Sequence, residues 1–281
     1  MCAPDAATLE AWSAAEVVCS LDLPAGWIDA MPKLQLVQAY SAGTEQFPVE
    51  VLAERGIRLA NAAGAGAPAI AEFVFGRLLE VCRNVRELDA MQGAREFHRP
   101  SGRILAGKTL GIVGLGAIGS VVARLARTFE MKTSATRHSA RAGEPSELVD
   151  QLHGPGGLGD LLDSADVVVL CAPATPETID LIDAEAIAAM KPGAVLCNVA
   201  RGALVAALDS GQLGAAILDV TREEPLPKDD PLWSARNLYL SPHLSIPPDA
   251  YDARLLALFA RNLRAYAAGE ALENEILLEE V

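Results

Sequence analysis

Thr109-Leu110-Gly111-Ile112-Val113-Gly114-Leu115-Gly116-Ala117-Ile118-Gly119 is the stretch that decides the fold. Its first five residues form a short apolar run that reads as a buried strand. The next six spell Gly-x-Gly-x-x-Gly, and beyond them Val122, Leu125, Ala126 and Phe129 recur close to helical spacing. Strand, tight glycine turn and helix in that order form the setting in which this motif holds a dinucleotide. Gly114 permits the turn, Gly116 lets a pyrophosphate approach the backbone, and Gly119 lets the helix pack on the strand. The N–H groups of Ala117 and Ile118, at the start of the helix, face the anion.

The next strand, Met131–Thr136, is expected to end at the residue that reads the adenosine ribose. An NAD site usually has a carboxylate there. Here the chain continues Arg137-His138-Ser139-Ala140-Arg141, with two arginines and a serine suited to a 2′-phosphate dianion. The expectation is NADP rather than NAD, read by Arg137, His138, Ser139 and Arg141.

Working outward, short apolar runs alternate with helical patterns over most of the chain, as in a parallel α/β sheet. Strands are expected at residues 16–20, 34–40, 109–113, 166–171, 194–199, 215–220 and 238–240. The run Val167-Val168-Val169-Leu170 has no polar alternation and reads as a strand covered on both faces. One long helix is expected from Pro68 towards Met91 and another from Asp249 to Ala267, flanking a strand-rich middle. Two lobes follow: residues 1–66 with 246–281, and residues 67–245.

The composition narrows the function classes. Apolar residues make up 51 % of the 281 and charged residues 21 %, so the chain can bury a core. A formal net charge of −14 repels nucleic acid and anionic membrane surfaces. The N-terminal residues have no signal-peptide pattern, and no apolar run is long enough to span a bilayer. Five scattered cysteines, Cys2, Cys19, Cys82, Cys171 and Cys197, without a Cys-x-x-Cys, read as reduced thiols of a cytoplasmic protein. Cys171 and Cys197 read as small core residues. His98, His138 and His153 lack partners at metal-ligand spacing, so no metal site is expected. Trp233 reads as a packing residue.

Three later segments carry the chemistry: Cys197-Asn198-Val199-Ala200-Arg201-Gly202, Leu218-Asp219-Val220 with Glu224-Pro225-Leu226-Pro227, and Leu240-Ser241-Pro242-His243-Leu244-Ser245. With Ser41-Ala42-Gly43, Ala67-Pro68-Ala69-Ile70-Ala71-Glu72, Gly107-Lys108-Thr109, Met190-Lys191-Pro192-Gly193 and Asp230-Pro231-Leu232-Trp233, the sequence resembles the D-2-hydroxyacid dehydrogenases, the family of glyoxylate/hydroxypyruvate reductases and phosphoglycerate dehydrogenases. The resemblance runs from Leu34 to about Leu277. It implies a doubly wound parallel Rossmann nucleotide domain inserted in a smaller flavodoxin-like substrate domain.

The resemblance also implies the roles. Arg201 grips the substrate's carboxylate and carbonyl oxygens, for which a planar, always charged fork is suited. His243 gives a proton to the keto oxygen and takes it back in reverse. Glu224 orients the imidazole; Glu223 competes for this role, and Glu224 is preferred because it precedes the proline. Asp219 accepts from the nicotinamide carboxamide. Ala172, Pro173, Val199 and Ala200 line the cofactor. Ala42 and Gly43 offer backbone donors to the substrate carboxylate. The implied reaction exchanges a hydride between NADP(H) and a small 2-keto or D-2-hydroxy acid such as glyoxylate or hydroxypyruvate, in a homodimer.

The sequence departs from the family pattern in three places. It starts about 30 residues late, so the substrate domain is expected to lack its first strand and expose an edge. The stretch after Val205 is about six residues short, so the helix following Arg201 is expected to have two turns or fewer. Phe97 falls where relatives often carry tryptophan. Two rivals stay open: a dinucleotide-binding regulator or scaffold of the same fold with little turnover, and an oxidoreductase of the same fold acting on formate or phosphite.

Overall fold

The computed structural model describes residues 6–141, 143–173, 175, 177–178, 180–197, 203–221 and 223–277. Eleven strands follow one another among them: β1 (Val17–Ser20), β2 (Leu36–Ala39), β3 (Arg58–Ala60), β4 (Thr109–Val113), β5 (Lys132–Thr136), β6 (Gln151–His153), β7 (Val167–Leu170), β8 (Ala194–Cys197), β9 (Leu213–Leu218), β10 (Leu238–Leu240) and β11 (Glu275–Ile276). The chain divides into two compact units, Met1–Gly66 with Pro248–Val281, and Ala67–Pro247.

In the first unit the sheet order is β1-β2-β3-β11. The first three strands are parallel, and β11 closes the far edge antiparallel to β3. Its core is built from Leu23, Ile28, Leu34, Val37, Leu52 and Leu59. The helix Pro248–Ala268 buries one polar residue completely, Asn262. That residue is satisfied on both sides of its amide: Nδ2 donates to Gln38 Oε1 at 2.8 Å, and Oδ1 accepts from the Glu273 N–H at 2.8 Å. A buried amide with its partners made is compatible with a core; an unpaired one is not.

The second unit holds a seven-stranded sheet in the order β10-β9-β8-β7-β4-β5-β6, every pair parallel. The order reverses between β4 and β7, and in doubly wound sheets ligands bind outside the strand ends at such a reversal. The reason is visible in β7: Val167 and Val169 belong to one apolar cluster and Val168 to the other. Both faces are covered, and each fully buried valine or leucine contributes about 1.5–3 kcal/mol. Gly111 in β4 is required by packing, since a Cβ there would lie 2.6 Å from Leu161 Cδ2 of the helix Leu158–Ser164.

Some sequence expectations need correction. The single helix expected from Pro68 to Met91 is two, Ala67–Cys82 and Val85–Ala94, because Asn84 takes a left-handed backbone (φ 52°) and turns its side chain to the Ser101 carbonyl at 2.8 Å. Strands β3, β6 and β11, of three, three and two residues, were not expected. Trp233 is 57 % exposed rather than packed, its Nε1 donating to the Pro227 carbonyl at 2.8 Å. The helix after the Arg201 region runs Ala203–Ser210, eight residues.

Candidate active site

The site is assembled where β4, β7, β8 and β9 end. The turn leaving β4 is shaped by what its glycines exclude. Gly114 has φ +99°, and a Cβ there would lie 2.6 Å from the Ala172 backbone nitrogen. At Gly119 a Cβ would lie 2.3 Å from the Gly114 carbonyl oxygen. At Gly116 a Cβ would meet nothing within 4 Å. Two glycines therefore let backbone and helix close on each other, and the third leaves the mouth of the loop open. The loop is tied down by the Gly114 and Leu115 N–H groups, which donate to the Thr136 carbonyl at 3.2 and 2.9 Å. Gly116 caps the helix Ala117–Thr128 without a side-chain acceptor, so the first N–H groups, including those of Ala117 and Ile118, face the open side. A dinucleotide pyrophosphate fits this cradle.

Behind the loop, a cavity of about 160 Å³ is lined by Ile70 and Phe73 from the helix Ala67–Cys82, Ile118, Ala172, Asp219 and His243, among others. Cys171 and Cys197 line it too, and burial pushes the Cys171 thiol up to about 12 and the Cys197 thiol higher still. Pro173 lies just beyond Ala172, its carbonyl accepting from the Thr178 hydroxyl at 2.5 Å. Strand β8 ends at Cys197; Val199, Ala200 and Arg201, expected in the site, lie outside the described residues.

Asp219 follows β9 and is buried. Its Oδ1 accepts from the Ser241 hydroxyl at 2.7 Å and the Leu244 N–H at 2.9 Å, and its Oδ2 from the Ser245 N–H at 2.9 Å. Burial raises its pKa, but the hydrogen bonds from Ser245, Ser241 and the two backbone N–H groups outweigh it and hold the carboxyl below its ordinary range. The group read from the sequence as an acceptor for the cofactor amide is thus also the anchor of the loop that carries His243.

His243 and Glu224 come together. The imidazole Nδ1 lies 3.0 Å from Glu224 Oε2, and Glu224 Oε1 accepts from the Thr221 N–H at 2.9 Å. The contact with His243, followed by that from Thr221, holds the Glu224 carboxyl below the usual carboxylate range. Glu223 instead offers its backbone carbonyl to the Thr221 hydroxyl at 2.8 Å. Both members of the pair border a second cavity of about 580 Å³, walled by Pro225, Leu226, Trp233, Leu240 and Pro242.

The ribose-reading end departs from the simple expectation. Arg137 Nη2 is paired with Glu144 Oε1 at 2.8 Å, and Glu144 Oε2 accepts from the Arg141 N–H at 3.1 Å. Buried Arg137 Nε has no hydrogen-bond partner among the described residues. His138 and Ser139 form an exposed turn closed by the Ala140 N–H on the Arg137 carbonyl. Glu144 was not singled out from the sequence; its spacing of three residues from Arg141 was the available signal. Ala42 and Gly43 sit in the first unit. There the Ala42 carbonyl accepts from Asn61 Nδ2 at 2.8 Å and the Gly43 carbonyl from the Ser41 hydroxyl at 2.7 Å. Among the described residues no group of three or more His, Cys, Asp or Glu side chains is placed to hold a metal ion.

A doubly wound sheet with an open glycine cradle and a carboxylate-backed imidazole at the strand ends defines a dinucleotide-dependent oxidoreductase. The family profile for the D-isomer specific 2-hydroxyacid dehydrogenase NAD binding domain matches residues 75–245. A glyoxylate reductase of Thermococcus kodakarensis is 37 % identical over 259 residues, covering 86 % of this chain and 76 % of the relative. The crystal structure of a D-isomer specific 2-hydroxyacid dehydrogenase family protein from Aeromonas salmonicida superposes with a TM-score of 0.81 at 31 % identity, over 96 % of this chain and 87 % of that one. A further D-isomer specific 2-hydroxyacid dehydrogenase, from Xanthobacter autotrophicus and in complex with NADPH and MES, gives a TM-score of 0.76 at 29 % identity, over 94 % and 84 %. The chain belongs to the D-isomer-specific 2-hydroxyacid dehydrogenase family. It is an oxidoreductase of 2-hydroxy acids with an NAD(P)-binding domain.

Proposed function

We propose that this enzyme reduces a small 2-keto acid, glyoxylate or hydroxypyruvate, to the D-2-hydroxy acid with NADPH, and that Arg201, Glu224 and His243 carry the reaction. The observation that bears most weight is the His243–Glu224 contact beside the cavity at the strand ends. With Nδ1 engaged by the carboxylate, Nε2 is the nitrogen left to give its proton to the keto oxygen. Glu224, itself held by the Thr221 N–H, keeps the ring oriented. Arg201, Ala42 and Gly43 hold the substrate carboxylate. Asp219, Ala172, Pro173, Val199, Ala200 and the glycine loop hold the cofactor, which supplies the hydride when bound. The apolar cavity wall at Ile70 and Phe73 excludes water from the reacting face.

Three things support NADPH: no carboxylate ends β5, Arg137 and Arg141 follow it, and the Xanthobacter relative is described with NADPH. Glu144 acts in this reading as the internal partner that holds Arg137 until a 2′-phosphate competes for it. The substrate choice is supported by glyoxylate reductases among the relatives. A homodimer fits the family and the exposure of Phe97 and Ile104, at 92 % and 67 %. The test is oxidation of NADPH and of NADH against a panel of 2-keto acids, with wild type and Arg137→Asp. Turnover on glyoxylate or hydroxypyruvate, with an NADP/NAD ratio that falls at least about tenfold in the variant, is expected. Dinucleotide binding without turnover on any acid would make the chain a regulator or scaffold instead.

A further inference from the structure

The loop that carries His243 is held in an unusual way. Pro242 has no N–H, so Ser241–Ser245 offers four backbone donors, and all four land on Leu218 or Asp219. Ser241 N–H donates to the Leu218 carbonyl at 2.8 Å and His243 N–H to the Asp219 carbonyl at 2.8 Å. Leu244 and Ser245 N–H donate to the two oxygens of the Asp219 carboxylate, each at 2.9 Å. Inside this wrap His243 adopts φ +55°, a left-handed backbone that residues with side chains seldom take. Such a conformation persists only where the surroundings over-determine it. Of the loop's side chains, Ser245 also hydrogen-bonds the Asp219 carboxylate, and Ser241 joins the wrap by two contacts. It is buried, and its hydroxyl reaches Asp219 Oδ1 at 2.7 Å and the Leu218 carbonyl at 3.2 Å. The Leu244 side chain, by contrast, is exposed.

We infer that the Ser241 hydroxyl and Asp219 Oδ1 form a clamp that sets the left-handed turn at His243, making Ser241 a positioning residue for the acid. Ser241 meets neither Glu224 nor the imidazole in a hydrogen bond among the described residues; it acts through Asp219. Oδ1 takes two donors of the loop, the Ser241 hydroxyl and the Leu244 N–H, and Oδ2 takes the Ser245 N–H. The carboxylate thereby couples cofactor contact and acid placement through a single group.

This inference rests on the proposed role of His243, so the experiment separates the two. Ser241→Ala, Ser241→Thr and His243→Ala are compared by kcat and KM for glyoxylate with NADPH, by NADPH affinity from fluorescence titration, and by melting temperature. The clamp predicts that Ser241→Ala lowers kcat about tenfold or more, since small misplacement of a reacting group has large effects on rate. NADPH affinity should stay within about twofold, and Ser241→Thr, which keeps the hydroxyl, should recover most of the rate. The deuteride isotope effect on kcat should rise in Ser241→Ala as the chemical step becomes limiting, a change that a loss of stability alone does not produce. If Ser241→Ala does not fold, Ser241→Cys, of similar size but a weaker donor, carries the same expectation. Wild-type kcat and isotope effect in the Ala or Cys variant, alongside an inactive His243→Ala, would overturn the clamp. Undiminished turnover by His243→Ala would instead overturn the proposed role of the histidine, and the clamp with it.

Discussion

The glycine turn after β4 and the histidine loop after β10 stand at the same end of one sheet but are built by opposite means. The first is made by omission: side chains are absent at Gly114 and Gly119 because backbone atoms occupy the space they would need. The second is made by attachment: the backbone donors of Ser241–Ser245 and the hydroxyls of its two serines converge on Leu218 and Asp219. Sterics suffice where an anion must approach a helix end. Where one imidazole must be aimed, a left-handed residue has to be held in place, and hydrogen bonds do that.

The largest effect is expected where attachment is broken. Asp219→Leu strands the Leu244 and Ser245 N–H groups without an acceptor and leaves the Ser241 hydroxyl only its 3.2 Å contact with the Leu218 carbonyl; it should lower stability by about 3 kcal/mol, measured by urea unfolding. The folded-state pKa of Asp219 is depressed. Its contribution is therefore complete above the ordinary aspartate pKa and is lost as the pH falls through the lowered folded value. The stability gap between wild type and variant should be flat at neutral pH and shrink only in acid. A gap that widened on acidification would break the assignment.

Omission is tested next. Gly119→Ala places a Cβ 2.3 Å from the Gly114 carbonyl and 3.0 Å from Ile112 Cγ2. It should lose about 2 kcal/mol of stability together with dinucleotide affinity. Gly116→Ala meets open space, so its melting temperature should stay near wild type while dinucleotide affinity drops about tenfold, the cradle being narrowed where the ligand approaches. Equal destabilisation by the two would mean that the turn is not organised by these close approaches.

Glu224→Gln should have the smallest effect on folding, since the side chain is 39 % exposed, and a distinct one on catalysis. The amide keeps the shape but not the charge beside His243. A fall in kcat of about ten- to a hundredfold is expected, with KM for the dinucleotide little changed.

This contrast also explains what could be read from the sequence. The three glycines announce their turn because two of them, Gly114 and Gly119, stand where a side chain would meet backbone, and the third keeps the mouth of the loop open; the sequence bounds of β4 and β10 match the structure to the residue. The valine run of β7 declares a strand buried on both faces, and with it the doubly wound sheet. The wrap around Asp219 is invisible in the sequence. Serine, proline and aspartate 22 residues apart are ordinary until β9 and β10 lie side by side. Glu144 carries no local signal of its pairing for the same reason: a carboxylate becomes the partner of Arg137 only when the turn after β5 folds back. The short strands β3, β6 and β11 exist because a neighbouring strand offers its ladder, which no local pattern encodes. The helix break at Asn84 was hidden because Val85 and Leu88 continue the apolar period across it.

The central claim is that His243, backed by Glu224, is the acid of a 2-keto acid reductase. The most direct measurement is kcat/KM of wild type and His243→Gln for glyoxylate and hydroxypyruvate with NADPH, with NADPH affinity determined separately. A loss of about a hundredfold or more in kcat/KM with affinity preserved is the predicted result. Equal turnover by the two proteins would contradict it.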